Sequence, residues 1–130
     1  MILIINTCLE KQTELILVDK SNKFKIKKIQ GSFNQSEKLL PAINSLIKNR
    51  NQLKGVGVVV GPGGFTTVRV GVAIANALAY TLKIPVVGLR KNQFNNNDDL
   101  IVKILQLCKT AKPGQFVLPY YDREPNIGFN

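Results

Sequence analysis

The sequence contains no histidine and no tryptophan, and it has only two cysteines. Without histidine the chain can provide neither an imidazole general base, nor a Ser-His or Cys-His nucleophile pair, nor a histidine-ligated zinc site. Cys8 and Cys108 lie far apart in no metal-binding spacing, so we expect two reduced thiols rather than a disulfide. Histidine-dependent hydrolases are therefore excluded.

Long apolar runs are also missing. No run approaches the roughly 18 apolar residues of a membrane-spanning helix, and "MILIINTCLEK" lacks the basic start and the small-residue cleavage site of a secretory leader. We therefore expect a cytoplasmic protein without membrane contact. An apolar share of 45% in 130 residues predicts one soluble globular domain.

Acidic residues are few: 8 acids stand against 18 bases, for a net charge of +10. This balance indicates an anionic partner such as RNA, but the lysines are dispersed, so the alternative is a basic surface with no nucleic-acid ligand. Four lysines fall on a predicted edge strand, residues 23–29, where they either prevent strand-to-strand aggregation or contact a tRNA backbone.

Apolar periodicity predicts seven elements in the order βββαβαβ. The predicted strands are residues 1–8, 14–19, 23–29, 55–60 and 85–89, and the predicted helices are residues 36–49 and 66–83. Pro41 is expected to bend the first helix or to mark a late start. Short links in the second half predict right-handed parallel crossovers. The fold class is α/β: a single ribonuclease H-like or actin-like (ASKHA) lobe with a mixed five-stranded sheet.

This lobe is assigned to residues 1–89. Residues 90–99 are predicted to be an Asn-rich linker, and residues 100–130 a short helix and a C-terminal tail packed on the lobe, with Asp98 or Asp99 capping the helix. Tyr120 in the tail either straps the tail over its own domain or stacks on RNA bases.

The loop "GPGGFTTVRVG", residues 61–71, joins a predicted strand to a predicted helix, which is where many proteins bind phosphate. It lacks the Lys-Ser/Thr pair of a P-loop and the G-x-G-x-x-G spacing of a dinucleotide site. Asn6 and Thr7 occupy the place where actin-like ATPases need a carboxylate for the metal. We therefore expect a tight turn without nucleotide hydrolysis, with anion binding left open.

The helix after this loop is apolar on both sides. One side carries Val68, Val72, Ala75, Leu78, Ala79 and Leu82; the other carries Val70, Ala73, Ile74 and Ala77, relieved by Arg69, Asn76 and Tyr80. Such a helix is normally buried on both sides. Small residues, Gly71 among them, would admit a second helix from a partner molecule. The alternative is that the helix at residues 100–109 covers this side within the chain.

The stretch "GPGGFTTVRVGVAIANALAYTLKIPVVGL" resembles the "GPGSFTGxRxG" signature of the bacterial TsaB (YeaZ) family. "MILIINTC", "QSEKLLPAINSLI" and the tail "LPYYDREPNI" resemble further segments of that family. The resemblance implies a non-catalytic scaffold, without cofactor, metal or catalytic residue. It would bind and stabilise a TsaD-like catalytic paralogue that transfers a threonylcarbamoyl group to the tRNA adenosine beside the anticodon.

The sequence departs from the family pattern at Asn6, Gln35, Thr67 and Arg90, where the family usually has Asp, His, Gly and Ser. None of these changes removes a catalytic group, because the implied role is structural. Family members usually have two similar lobes, so the resemblance implies a minimal form that lacks most of the second lobe.

The predicted partner interface combines the glycine loop, the second helix and part of the first. Its residues are Leu40, Ile43, Gly61, Pro62, Gly63, Gly64, Phe65, Thr66, Arg69, Val70, Ala73, Ile74, Asn76, Ala77 and Tyr80. Further implied partners are a TsaE-like ATPase, a second copy of the chain when alone, and tRNA, reached indirectly or by weak basic contacts. The alternative functions are a degenerate actin-like nucleotide-binding lobe and a basic RNA-binding module.

Overall fold

The structure, a computed structural model, describes residues 1–31 and 35–121, without the side chains of residues 35, 36 and 65. Its elements are β1 (Ile2–Asn6), β2 (Gln12–Val18), β3 (Phe24–Gln30), α1 (Gln35–Leu46), β4 (Gly55–Gly61), α2 (Phe65–Leu82), β5 (Val86–Arg90) and α3 (Asn97–Thr110). Short 3-10 turns occupy Arg50–Gln52 and Lys91–Gln93. The predicted order βββαβαβ, followed by a helix, is confirmed.

The strands form one mixed sheet in the order β3-β2-β1-β4-β5. β2 runs antiparallel to β1 and β3, whereas β4 runs parallel to β1 and β5. Every residue of β4 is buried, as expected for a parallel strand covered on both faces. β3 lies at the sheet edge and is mostly exposed, so the predicted edge-strand position is confirmed for Lys25, Lys27 and Lys28, whereas Lys23 precedes the strand.

The helices cover the two faces of the sheet. A methyl group on Gly57 of β4 would lie 2.6 Å from Ile104 Cγ2, and one on Gly55 would lie 3.1 Å from Cys108 Sγ, so α3 packs on this face. Successive strand residues alternate between faces, which turns Val58 toward the other face, where α2 and α1 pack. The inward residues of α2 that are buried are Val68, Val72, Ala75 and Ala79.

α1 begins at Gln35, so Pro41 lies inside the helix and the late-start alternative is wrong; the expected bend stays a prediction. The predicted cap of α3 is also wrong. The cap of α3 is Asn96, whose Oδ1 accepts a hydrogen bond from the Asp99 backbone N–H at 2.9 Å; neither Asp98 nor Asp99 is the cap. Because α3 begins at Asn97, the segment predicted as a linker contains a strand end, a 3-10 turn and the first turn of a helix.

Among the described residues, no helix is long and apolar enough to cross a membrane. Both cysteines are free thiols, with Cys8 buried and Cys108 half-buried.

Candidate protein interface

The glycine loop makes a tight turn between β4 and α2. Gly64 caps the helix without a side chain, and its carbonyl accepts hydrogen bonds from the Val68 N–H at 2.9 Å and the Thr67 hydroxyl at 3.1 Å. A methyl group on Gly63 would lie 3.0 Å from Cys8 Cα, so the loop packs directly on the chain that follows β1. The loop is therefore the tight strand-to-helix turn that its sequence predicts.

A groove beside the loop is lined by Cys8, Leu9, Glu10, Lys11, Gly63, Gly64, Thr67 and Lys91. Burial raises the pKa of the Cys8 thiol to about 11 and outweighs the opposing effect of nearby Lys91. The neutral thiol donates to the Val59 carbonyl at 3.4 Å. Because a cysteine reacts as its thiolate, Cys8 is not an activated nucleophile at neutral pH.

The polar residues at the end of β1, Asn6 and Thr7, are buried inside the fold. Asn6 Oδ1 accepts from the Cys8 backbone N–H at 3.0 Å, and Asn6 is 4% exposed. A methyl group on Gly71 would lie 2.5 Å from Thr7 Oγ1, so Gly71 faces the sheet and admits α2 to β1. Its expected role in admitting a partner helix is wrong. Within residues 1–31 and 35–121, no group of three His, Cys, Asp or Glu side chains could hold a metal ion.

The outer side of α2 is open to solvent. Ala73 and Ala77 are exposed, Tyr80 is 85% exposed, and Val70 and Ile74 are half-buried between them. Thr66 and Arg69 are exposed at the start of the helix, and Leu40 is 48% exposed on α1. Because α3 packs on the opposite face of the sheet, the alternative in which it covers this side of α2 is wrong. We call Val70, Ala73, Ile74, Ala77 and Tyr80 the outer face of α2.

Three predicted interface residues make their contacts within the chain. Ile43 is 1% exposed because it points from α1 into the core. A methyl group on Gly61 would lie 2.0 Å from the Tyr120 carbonyl oxygen, so the tail covers this glycine. Asn76 Nδ2 donates to the Val117 carbonyl at 2.8 Å, and Asn76 Oδ1 accepts from the Val117 N–H at 2.9 Å. Burial therefore removes Ile43 and Gly61 from the accessible surface, and both hydrogen-bonding groups of Asn76 are already used within the chain. Pro62 is half-buried, Gly63 and Gly64 are exposed, and the Phe65 side chain lies outside the described residues.

The tail contact at Tyr120 adds residues that the sequence did not reveal. The Tyr120 backbone N–H donates to the Val60 carbonyl at 2.8 Å, and the Arg90 guanidinium lies 4.8 Å from the Tyr120 ring centroid. This contact agrees with the strap interpretation of Tyr120. Asn76, a polar residue among the apolar residues 74–78 of α2, was the signal of a polar contact at this point, but nothing in its sequence context identifies Val117.

A protein-family model described as "TsaD: tRNA N6-adenosine threonylcarbamoyltransferase" matches residues 30–97. The tRNA threonylcarbamoyladenosine biosynthesis protein TsaB of Bacillus subtilis (strain 168) is 39% identical over 57 residues, which cover 41% of this chain and 25% of that protein.

Two solved structures match with a TM-score of 0.63, 20% identity and coverage of 68% of this chain. One is YeaZ from Pseudomonas aeruginosa, with 43% of that chain covered; the other, with 42% covered, is a protein with similarity to peptidase YeaZ from Pseudomonas aeruginosa. The chain thus spans a quarter of its curated relative and less than half of the solved chains. At this identity, the structures establish the actin-like, ribonuclease H-like fold alone.

Proposed function

Because the chain belongs to the TsaD family and is a TsaB/YeaZ-like protein, we propose that it serves tRNA threonylcarbamoyladenosine biosynthesis as a non-catalytic subunit. In this role it binds and stabilises a TsaD-type enzyme through the outer face of α2. A TsaE-like ATPase and tRNA belong to the same proposal as further partners.

The observation that carries the proposal is the uncovered outer face of α2. The helix is apolar on both sides, but the described chain fully buries only the side that faces the sheet. On the outer face Val70 and Ile74 are half-buried, and Ala73, Ala77 and Tyr80 are exposed. Ala73 and Ala77 are small enough to let another helix approach closely, and Tyr80 adds a large ring at one end. Apolar area removed from water stabilises a complex by about 25 cal/mol per Å², so this face favours a protein partner.

The groove beside the glycine loop supports a non-catalytic role. Cys8 holds its proton at neutral pH, and the chain has no histidine to act as a general base. Asn6 is neutral and already accepts a hydrogen bond from the Cys8 backbone. The groove therefore offers no activated nucleophile.

The test is to mix the protein with the TsaD-type protein of the same organism and to measure the mass by light scattering and the Kd by calorimetry. Ala73→Glu places an unpaired charge in the middle of the proposed interface, and we expect binding to weaken by at least about 100-fold. Val102→Glu is the matched control, because Val102 is 53% exposed on α3, across the sheet. This control should bind as the wild type does, and circular dichroism should show that both variants are folded.

A folded Ala73→Glu variant that binds with unchanged affinity would refute the proposed interface. Absence of any mixed complex for the wild type would refute the proposed partner. We expect the wild type alone to self-associate through the same face, so adding the TsaD-type protein should convert homodimer to mixed complex.

A further inference from the structure

Residues 115–121, which we call the strap, run beside α2 and over β4 and β5, and contacts on one side hold them in place. Asn76 uses both its donor and its acceptor on the backbone of Val117, and the Tyr120 N–H bonds to the Val60 carbonyl. A methyl group on Gly88 would lie 3.5 Å from Val117 Cγ1, so Val117 packs on β5. Three separate contacts therefore fix the inner side of the strap.

The outer side of the strap carries two large apolar side chains. Phe116 and Leu118 alternate with the inward-facing Val117, and each is 70% exposed. Phe116 also lines a shallow groove together with Ala77 and Tyr80 of α2. Phe116 therefore joins the exposed apolar side of the strap to the outer face of α2 at Ala77 and Tyr80.

We propose that the strap is part of the docking surface for the TsaD-type partner. Phe116 and Leu118 contact the partner beside the outer face of α2, while Asn76 positions the strap and does not itself touch the partner. This inference rests on the proposed function, because the occupant is the same protein. Phe116 lines the same groove as Ala77 and Tyr80. A partner protein that binds over these two residues of α2 therefore also contacts Phe116.

The first test is the double variant Phe116→Ser/Leu118→Ser, which keeps every hydrogen bond of the strap. We expect its Kd for the TsaD-type protein to rise by about 10-fold or more, since two apolar side chains lose their burial in the complex. The matched control is Val102→Ser/Leu107→Ser, which removes two exposed apolar side chains from α3. Its Kd should stay within about twofold of the wild-type value.

The second test separates positioning from contact. Asn76→Ala removes both hydrogen bonds to Val117, so hydrogen exchange of the Val117 and Tyr120 amides should accelerate. Partner affinity should fall in parallel. Adding the two serine substitutions to Asn76→Ala should then weaken binding further by less than they do in the wild type.

The outcomes are distinguishable from those of the proposed function. If Ala73→Glu abolishes binding while Phe116→Ser/Leu118→Ser binds within about twofold of the wild type, the strap inference fails and the proposed function stands. If the serine variant changes only self-association, the strap contacts a second copy, and the inference also fails. If the wild type forms no mixed complex, the proposed function itself fails.

Discussion

The packing of α3 can be tested at Gly57 and Ile104. In Gly57→Ala the new methyl group would lie 2.6 Å from Ile104 Cγ2 and 2.9 Å from Cδ1. Two carbons pack best at about 3.5–4.0 Å, so the overlap approaches 1 Å. Ile104 is fully buried and β4 is central, so neither can shift freely. Overpacking costs about 1–3 kcal/mol, and lost chain flexibility in the unfolded state offsets about 0.4–1 kcal/mol of it.

The partner variant is Ile104→Ala, which should destabilise the protein by about 2–5 kcal/mol through the cavity that it leaves. In the double variant Gly57→Ala/Ile104→Ala, the methyl group added to β4 enters that cavity. The combined loss should therefore fall short of the sum by at least about 1 kcal/mol. The assay is urea unfolding followed by circular dichroism. Val102→Ala, on the exposed side of the same helix, should change the free energy of unfolding by no more than about 0.5 kcal/mol.

Additive losses, within about 0.5 kcal/mol, would show that Gly57 and Ile104 are not in contact. α3 would then be free to lie elsewhere, including over α2. The placement of α3 across the sheet would then no longer support an exposed outer face of α2. A stability measurement on the buried side of the sheet thus bears directly on the proposed interface.

Three further predictions concern the start of α3 and the two thiols. Asn96→Ala should lower stability by about 1 kcal/mol in urea unfolding, because the Asp99 N–H loses its acceptor; an unchanged midpoint would contradict the assigned cap. A hydrogen bond from the Asn95 backbone lowers the pKa of Asp99. The ionised Asp99 therefore stabilises the fold fully above the ordinary carboxyl pKa, and this stabilisation disappears as the pH falls through the lowered pKa. Asp99→Asn should make the free energy of unfolding less dependent on pH in this acid range. Burial raises the pKa of both Cys8 and Cys108 to about 11. Alkylation of the folded protein at pH 8 should therefore be ~100-fold slower than alkylation of a free thiol. Rapid labelling would contradict the burial of these thiols.

The sequence was sufficient for the order of elements because each is a strong local pattern. The apolar run at β4, the alternation in β3 and the unbroken apolar stretch of α2 each indicate one type of element. Helix caps are weaker signals, since asparagine and aspartate both cap well. Five of these residues stand in succession, Asn95 to Asp99, and the sequence alone does not show which of them is the cap.

The side of the sheet that α3 covers could not be predicted from its own amphipathic pattern. That pattern shows that α3 has an apolar side but not which face of the sheet receives it. The informative residues lie in β4, where Gly55 and Gly57 leave room on one face. Asn76 is the corresponding case at the interface: its polarity suggested a surface role, whereas a backbone segment some 40 positions away uses both of its hydrogen-bonding groups.

The position of the strap in the chain has a consequence for synthesis. The ribosome makes α2 before it makes the strap, and on the order of 40 residues separate the end of the helix from Tyr120, which at typical elongation rates is about 2–8 s. During that interval the side chain of Asn76 lacks its Val117 partner and Gly61 is not covered by Tyr120. A partner arriving on the nascent chain would meet α2 alone, and the strap would then close beside it as the last described segment to emerge.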